Sequence, residues 1–458
     1  MLKNFRKTKI FVLTMLAAAP IISLASESSH PDSTSVGLVF LWIAIILLIA
    51  KASSFIERFG QPPVLGEILI GVLLGNLSLL GFHWFEPLRG NEIILFLSEF
   101  GVVILLFQIG LESNLAQMKK VGLRALLVAI VGVIVPFVLG TFVIGPWLIP
   151  GLVFNAYLFL GATLTATSVG ITARVFKDLG KLKTNEAQIV LGAAVIDDVL
   201  GLIILAVVTA IVTQGSVSPT GISLITLKAF AFLAGAIYIG TKIAPWLGKM
   251  FSKIHTGTGM KFTLALSFGL IVAYLAEKIG LAPIVGAFAA GLILDSVHFK
   301  YFKQSPLVEN LQIVADRAEG TIKQEMTDLA KKHSEKHIEE LIEPLGFLVV
   351  PIFFVMTGFS VRLEVLFDLP VLMIALAVSV AAFIGKIVAG SVAGKVNKWI
   401  VGVGMIPRGE VGLIFAMIGK NLGVVDDRLF SIIVIMVILS TLLTPPILTL
   451  LIKKQDSK

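Results

Sequence analysis

The chain has 458 residues, of which 57% are apolar and only 14% charged, and its mean hydropathy is +0.97. This composition excludes an ordinary soluble enzyme and indicates membrane helices, because barrel strands give a weaker, alternating pattern. The absence of cysteine excludes disulfides, thiolate metal sites and cysteine nucleophiles. The formal net charge of +8 reflects basic loops on one membrane side, as described below, so we expect no nucleic-acid partner.

The first 25 residues have the pattern of a secretory signal peptide. Basic residues occur between Lys3 and Lys9, the apolar run Ile10–Ile22 follows, and Ser23-Leu24-Ala25 supplies the small residues that signal peptidase requires. We therefore predict a signal peptide at 1–25. The alternative is an uncleaved first membrane helix.

Apolar segments of membrane-spanning length then recur along nearly the whole chain. A hydrocarbon core of about 30 Å requires roughly 20 apolar residues in helical form. The pattern predicts an all-α integral membrane protein with about 13 transmembrane helices, forming one transmembrane domain at 36–452. The predicted spans are 36–54, 63–82, 93–111, 122–145, 152–173, 187–213, 222–241, 260–276, 281–297, 344–361, 370–392, 397–419 and 429–452.

The distribution of Lys and Arg between the loops predicts the orientation of the chain. When the N-terminus is placed outside, most basic residues outside the spans fall on the cytoplasmic side, including those of the tail 453–458. That bias agrees with the positive-inside rule. We therefore predict a multi-pass protein of the bacterial inner membrane, with its N-terminus outside and its C-terminus in the cytoplasm.

A charged segment at 299–343 is the one sizeable predicted loop. Its apolar residues recur at three- and four-residue steps from Leu307 to Leu329, which predicts a cytoplasmic amphipathic helix. A solvated linker, a surface-lying helix, a regulatory element and a partner site all remain open. His333 and His337 have a spacing that a metal could use. Solvated histidines are the favoured interpretation, because no third ligand lies nearby, and no cofactor is expected.

Two adjacent carboxylates, Asp197 and Asp198, lie inside the apolar run Ile189–Ile211. A charged residue at that depth costs roughly 2.5–3.5 kcal/mol even on the lenient insertion scale, and two neighbouring like charges also repel each other. Such a pair is most simply explained as a binding site for protons or cations. Adjacent helical side chains point about 100° apart, so the two carboxylates cannot share one face.

Lys386 is a basic residue in the middle of another predicted span, where its ammonium cannot readily reach an interface. An unpaired ammonium there is unfavourable, so one of the two aspartates is the expected counter-ion. The alternative is that Lys386 lies nearer the inner surface.

Two predicted spans carry interruptions of the helix pattern. Pro407-Arg408-Gly409-Glu410 places a proline, a glycine and two charges in one apolar run, which favours a broken helix. In Thr163–Gly170 hydroxyl side chains replace apolar ones, and such hydroxyls, together with freed backbone carbonyls, can coordinate a small hard cation. Hydrogen bonding of these hydroxyls to their own helix is the alternative.

The interrupted spans run in opposite directions and bracket the acidic span, as expected of an inverted repeat with an ion site where the broken helices cross. Transport is therefore favoured over a receptor or an intramembrane enzyme, because no metal motif or serine–base pair lies in the spans. We predict no enzymatic activity.

The chain resembles bacterial monovalent cation:proton antiporters of the sodium/hydrogen exchanger superfamily, in the branch with NapA-like and Kef-type proteins. The resemblance covers about 36–452. It rests on segments in a specific order: Gln61–Gly71, Leu106–Glu112, Thr165–Gly170, Ile196-Asp197-Asp198 and Pro407–Glu410.

The resemblance implies two roles for the aspartates. Asp198 would be the principal carboxylate that binds the cation or the proton, and Asp197 would pair with Lys386 when no cation is bound. Thr165 and Thr167 would line the site.

The resemblance also implies that Arg408, Glu410 and Glu67 stabilise a core domain that moves against a dimerisation domain, so a homodimer is expected. The implied function is electrogenic exchange of Na+ for protons. A K+/H+ antiporter of Kef type and a channel or sensor on the same scaffold remain alternatives, and a symporter of organic anions is more distant. The residues do not distinguish Na+ from K+ or Li+.

Overall fold

The computed structural model describes residues 36–59, 62–112, 122–214, 219–294, 301–303, 306–317, 320–364 and 368–456. The predicted signal peptide at 1–25 lies outside these residues. Within them every regular element is helical, which confirms the all-α prediction.

Up to Ile293 the described residues contain ten α-helices besides the short helix Gly145–Leu148. They are α1 (Val36–Ser53), α2 (Pro63–Gly75), α3 (Glu92–Glu112), α4 (Leu123–Val138), α5 (Phe154–Thr165), α6 (Val169–Asp178), α7 (Asn185–Gln214), α8 (Pro219–Ser252), α9 (Thr258–Lys278) and α10 (Pro283–Ile293). Pro136 lies inside α4, which continues as a π-helical turn at Leu139–Ile144, because a proline removes one backbone donor from the regular ladder.

The second half repeats part of this order. Its described helices are α11 (Pro306–Arg317), α12 (Gly320–Phe359), α13 (Leu369–Ala389), α14 (Lys398–Gly404), α15 (Glu410–Asn421) and α16 (Asp427–Asp456). A long helix, a broken helix and a 30-residue helix follow one another in α4–α7 and again in α13–α16.

Eight helical segments of the described chain are long and apolar enough to cross a membrane. They are Val36–Arg58, Glu92–Leu111, Leu123–Leu148, Asn185–Thr213, Thr258–Lys278, Ile338–Phe359, Leu369–Val392 and Asp427–Gln455. The apolar helices at Pro63–Leu79, Pro283–Ile293 and Val411–Asn421 are shorter. A multi-pass membrane protein is therefore supported, and the number of 13 spans stays a prediction.

One group of helices packs through glycines, and we call α1, α2, α3, α9, α10 and α12 the scaffold helices. Gly71 of α2 and Gly358 of α12 each lie against the backbone of the other helix, and Gly110 of α3 lies against Phe288 of α10. Such close approach lets apolar helices gain packing contacts where lipid gives them no hydrophobic reason to associate.

Gly71→Ala should destabilise the scaffold helices. A Cβ at Gly71 would overlap the carbonyl oxygen of Val355, and overpacking of this kind costs about 1–3 kcal/mol. Gly37→Ala in α1 is the matched control, because a Cβ there would meet no atom within 4 Å. We expect the thermal unfolding midpoint of the detergent-purified protein to fall for Gly71→Ala alone. Equal midpoints for both variants would contradict this packing.

The second group consists of α4–α7 and α13–α16, which we call the crossing helices. Within it α4 packs against α7 and α13, α5 packs against α15, and α13 packs against α16. The two broken helices, α5/α6 and α14/α15, meet in its interior.

In the charged segment 299–343, residues 306–317 and 320–343 are helical. Helix α11 packs against α12, and α12 continues directly into the membrane-spanning part at Ile338–Phe359. These residues are helical, as predicted, and the role of the segment stays open. Leu307 and Leu329 are exposed, whereas Val308, Ala315 and Ala330 are buried, and the small size of the two alanines suits close helix packing.

The His333–His337 pair gains no support as a metal site. His333 Nδ1 lies 3.2 Å from Glu340 Oε1. The side chain of His337 lies outside the described residues. Across the described part of the chain, no cluster of three His, Cys, Asp or Glu residues could hold a metal ion.

Candidate functional site: the crossing of two broken helices

The breaks of the two interrupted helices contact each other directly. The first break is Ala166–Ser168, and the second runs from Met405 to Gly409. The backbone N–H of Ser168 donates a 2.7 Å hydrogen bond to the carbonyl of Pro407. Gly409 permits this approach, because a Cβ there would lie 2.6 Å from Ser168 Oγ.

Hydroxyl groups donate hydrogen bonds to the backbone carbonyls that have no intrahelical donor at the end of α14. Thr172 Oγ1 donates to the carbonyl of Gly404 at 2.6 Å, and Thr167 Oγ1 donates to that of Met405 at 3.4 Å. A helix end buried without water needs such partners, because an unsatisfied buried carbonyl is costly. The sequence around the first break therefore stabilises the second.

Arg408 does the same for the end of α5 and joins two further helices, α13 and α16. Its fully buried guanidinium donates from Nη1 to the carbonyl of Ala166 at 2.9 Å and from Nη2 to that of Ala382 at 3.1 Å. A cation at a helix C-terminus is also favoured by the helix dipole. Ser440 Oγ accepts from the Arg408 N–H, and Thr441 Oγ1 donates to the Arg408 carbonyl, each at 3.0 Å.

Lys386 and Asp197 form an ion pair in the interior of the crossing helices. The Lys386 Nζ–Asp197 Oδ1 distance is 2.9 Å, and both side chains are fully buried. Among the described residues, Asp197 Oδ2 has no hydrogen-bond partner. The desolvation of a buried pair offsets most of its attraction, so this pair is a poor stabiliser and a good candidate for function.

Gly132 of α4 lies beside the Lys386–Asp197 pair. A Cβ added at Gly132 of α4 would lie 3.6 Å from Lys386 Nζ. Thr167 and Arg408 also lie within electrostatic reach of Asp197. The ion pair and the crossing are therefore parts of one site.

Asp198 lies on a different face of α7 and is half-buried. It remains within electrostatic reach of Lys386. Gly201, one turn further along α7, would place a Cβ 3.9 Å from Thr165 Oγ1. Asp198, the Lys386–Asp197 pair and Thr165 therefore lie at the same short stretch of α7.

The hydroxyl of Thr165 bonds within its own helix, as the alternative interpretation expected. Thr165 Oγ1 donates to the carbonyl of Ala162 at 2.7 Å, and Thr163 Oγ1 donates to that of Leu160 at 2.7 Å. A hydroxyl that donates a hydrogen bond keeps its oxygen lone pairs, so Thr165 Oγ1 is still able to coordinate a cation.

Glu67 and Glu410 lie in other places. Glu410 is the first residue of α15, a position at which the helix dipole stabilises a carboxylate. The side chain of Glu410 lies outside the described residues. Glu67 is on α2. The described hydrogen bonds of Arg408 run to Ala166, Ala382 and Ser440, so the structure does not bring Glu67 to Arg408.

Glu67 instead lines a cavity of about 440 Å³ between the scaffold helices and the crossing helices. Ser168 and Gly409, both at the crossing, form part of its wall. Its other lining residues are Pro62, Val64, Leu65, Ile68, Leu105, Gln108, Ile109, Ile171, Glu343, Gly346, Phe347, Val350, Pro351, Phe354, Val437 and Thr441. The aspartate pair is not in this wall, so the cavity ends at the crossing.

Sequence reasoning missed the polar residues of α16 that hold Arg408. Ser440 and Thr441 precede Pro445-Pro446 in an otherwise apolar run, and that combination of hydroxyls and prolines is a signal that could have identified them. Thr172 gave no such signal, because its partner is 232 residues away.

Comparisons with known proteins agree with this architecture. The model of the family described as "Sodium/hydrogen exchanger, transmembrane" matches residues 43–316 and 327–454. The high-affinity Na(+)/H(+) antiporter NhaS3 of Synechocystis is 36% identical, with 93% of each chain covered. The Na(+)/H(+)-K(+) antiporter GerN of Bacillus cereus is 33% identical over 89% of this chain and 95% of that one.

The fold is also similar to a solved structure. The sodium proton antiporter MjNhaP1 of Methanocaldococcus jannaschii superposes with a TM-score of 0.63 at 17% identity, covering 91% of this chain and 98% of that one. At this identity the likeness concerns the fold alone. The family match covers most of the chain, and together with the two relatives it shows that this protein belongs to the sodium/hydrogen exchanger transmembrane family.

Proposed function

We propose that this protein exchanges a monovalent cation, Na+, for protons across the bacterial inner membrane. The observation that carries this proposal is the buried Lys386–Asp197 pair beside Asp198 at the crossing of two broken helices. The antiporters NhaS3 and GerN, whose names specify Na+/H+ exchange, support it.

Competition for one carboxylate explains the coupling. Ionised Asp198 attracts Na+ and protonated Asp198 does not, so the cation and the proton occupy the site in turn. The lone pairs of Thr165 and the backbone carbonyls near the break are hard oxygen ligands that suit a small cation. No catalytic chemistry is required.

Alternating exposure of this site completes the cycle. The repeated order of α4–α7 and α13–α16 supports an inverted repeat. We infer that the crossing helices form the moving core domain and that the scaffold helices form the dimerisation domain. If the positive-inside orientation holds, the cavity beside Ser168 opens to the cytoplasm.

Ion pairs on the side of the membrane opposite to the cavity fit an arrangement in which the site is open to the cytoplasm and closed to the outside. Asp427 of α16 lies 2.7 Å from Lys420 and 3.5 Å from Arg362, which follows α12. Lys420 also donates to the carbonyl of Ser360. These contacts join crossing and scaffold helices on the predicted external side, and they would part when the site faces outward.

The direct test is cation-induced collapse of a preformed proton gradient in everted membrane vesicles, with Na+, Li+ and K+ compared across pH. We expect Na+ to collapse the gradient at the lowest concentration. K+ is the second candidate, because GerN is named for both Na+ and K+. Cation conduction without proton movement would instead identify a channel.

Lys386→Ala should abolish the response of exchange to membrane potential. The reason is that Lys386 gains and loses a proton as its pair with Asp197 forms and breaks, which adds a second proton per cation. Reconstituted vesicles with an imposed potassium-diffusion potential would measure this response. The double variant Asp197→Asn/Lys386→Ala controls for the unpaired buried carboxylate that the single variant leaves. An unchanged potential dependence in both variants would sink this coupling role.

A further inference from the structure

Among the buried carboxylates that the structure describes, Glu67 has no task in the exchange mechanism above. Glu67 is only 9% exposed and lies in the wall of the cavity that ends at Ser168 and Gly409. Burying a carboxylate is expensive unless a donor or a cation compensates its charge. Lys51 of α1 is the positive charge within electrostatic reach of Glu67, but it is itself exposed.

The remainder of the cavity is arranged for passage from the cytoplasmic side in the proposed orientation. Glu343 is exposed and also lines the cavity. Lys51 Nζ lies 5.9 Å from the ring centroid of Phe347, another lining residue. The amide of Gln108 lies so close to Gly346 that a Cβ there would overlap it. Polar side chains thus lead past an aromatic and apolar wall to the crossing.

We propose that Glu67 is a second cation-binding position, at which an incoming monovalent cation is held before it reaches Asp198. This inference rests on the proposed function. A carboxylate in a narrow, low-dielectric cleft concentrates cations locally and raises their rate of entry. Glu67 therefore acts on the apparent affinity for the cation at the cytoplasmic face, and Asp198 carries the exchange itself.

The absence of cysteine from the chain allows a charge-restoration experiment. Glu67→Cys would be assayed in everted vesicles, where the cytoplasmic face is accessible, before and after treatment with impermeant methanethiosulfonates. A sulfonate reagent restores a negative charge at this position, and a quaternary ammonium reagent of similar size adds a positive one. Glu57→Cys is the matched control, because Glu57 is an exposed acidic residue ten positions earlier.

We expect Glu67→Cys to raise the KM for Na+ by about tenfold at low ionic strength with kcat kept. The sulfonate should return KM toward its original value, and the ammonium reagent should raise it further. Added choline chloride should shrink these differences, because salt screens the attraction. Glu57→Cys should show none of these changes.

Other outcomes overturn the proposal. Identical effects of the two reagents would show that Glu67 acts through its volume and not its charge. A fall in kcat with KM unchanged, in Glu67→Gln and Glu67→Asp alike, would show a structural role, as would loss of all these variants from the membrane. Persistent exchange in Asp198→Asn would overturn the proposed function itself, whereas an inactive Asp198→Asn beside an unchanged KM in Glu67→Gln would overturn this inference alone.

Discussion

Asp198→Asn should abolish cation-induced proton movement in everted vesicles. The amide keeps the shape of the carboxyl group but can neither bear the charge that attracts Na+ nor exchange a proton. One charge–charge attraction at 4 Å is worth about 4 kcal/mol at an effective dielectric constant of 20, which corresponds to a loss of affinity of roughly a thousandfold. Exchange should therefore fall below detection.

The matched control for this prediction is Asp368→Asn, the same chemical change at an exposed residue before α13. It should leave the rate and the Na+ dependence unchanged. Both variants should reach the membrane in equal amounts, because Asp198 is only half-buried. Residual sodium-dependent exchange in Asp198→Asn would transfer the carrier role to another carboxylate.

Arg408→Met should produce the largest loss of stability. The substitution leaves the buried carbonyl of Ala166 at the end of α5 without its donor, and such an unsatisfied group costs about 1–3 kcal/mol. The carbonyl of Ala382, inside α13, loses its second donor. The substitution also removes the cation at the end of α5. We expect a clear fall in the thermal unfolding midpoint in detergent, together with loss of exchange.

Two further variants separate the causes. Arg428→Met removes the same charge from an exposed position and should leave the midpoint unchanged. Arg408→Lys retains the charge but not the planar fork that reaches two carbonyls at once, so it should recover only part of the stability. Full recovery with lysine would mean that charge alone matters at this position.

Several features of the site could be predicted from the sequence because they follow from the free-energy cost of placing a charge in an apolar segment. A charge in an apolar run is expensive wherever its helix packs, so Asp197, Asp198 and Lys386 are conspicuous without a structure. The opposite signs of the charges also indicated the ion pair that the structure contains. Which aspartate forms it came from the resemblance, because the two candidates are adjacent in the chain.

Other features could not be predicted because they depend on long-range packing. In α11 Val308 and Ala315 are buried, whereas Leu307 of the apolar series is exposed, because the side of a helix that meets its neighbours depends on how the helices pack. The resemblance assigns Glu67 to core stabilisation, which stays a prediction; its place in a cavity wall became visible only in the structure.

The sequence by itself determined the all-helical membrane class, the two interrupted spans and the residues whose charge demands an explanation. Proline, glycine and buried charges act on the segment that contains them, so their effects can be read from the sequence. Only the tertiary structure decided that Arg408 joins α5 to α13 and that the cavity stops at Ser168 and Gly409. Those contacts link residues far apart in the chain, and their partners are chosen by how whole helices cross.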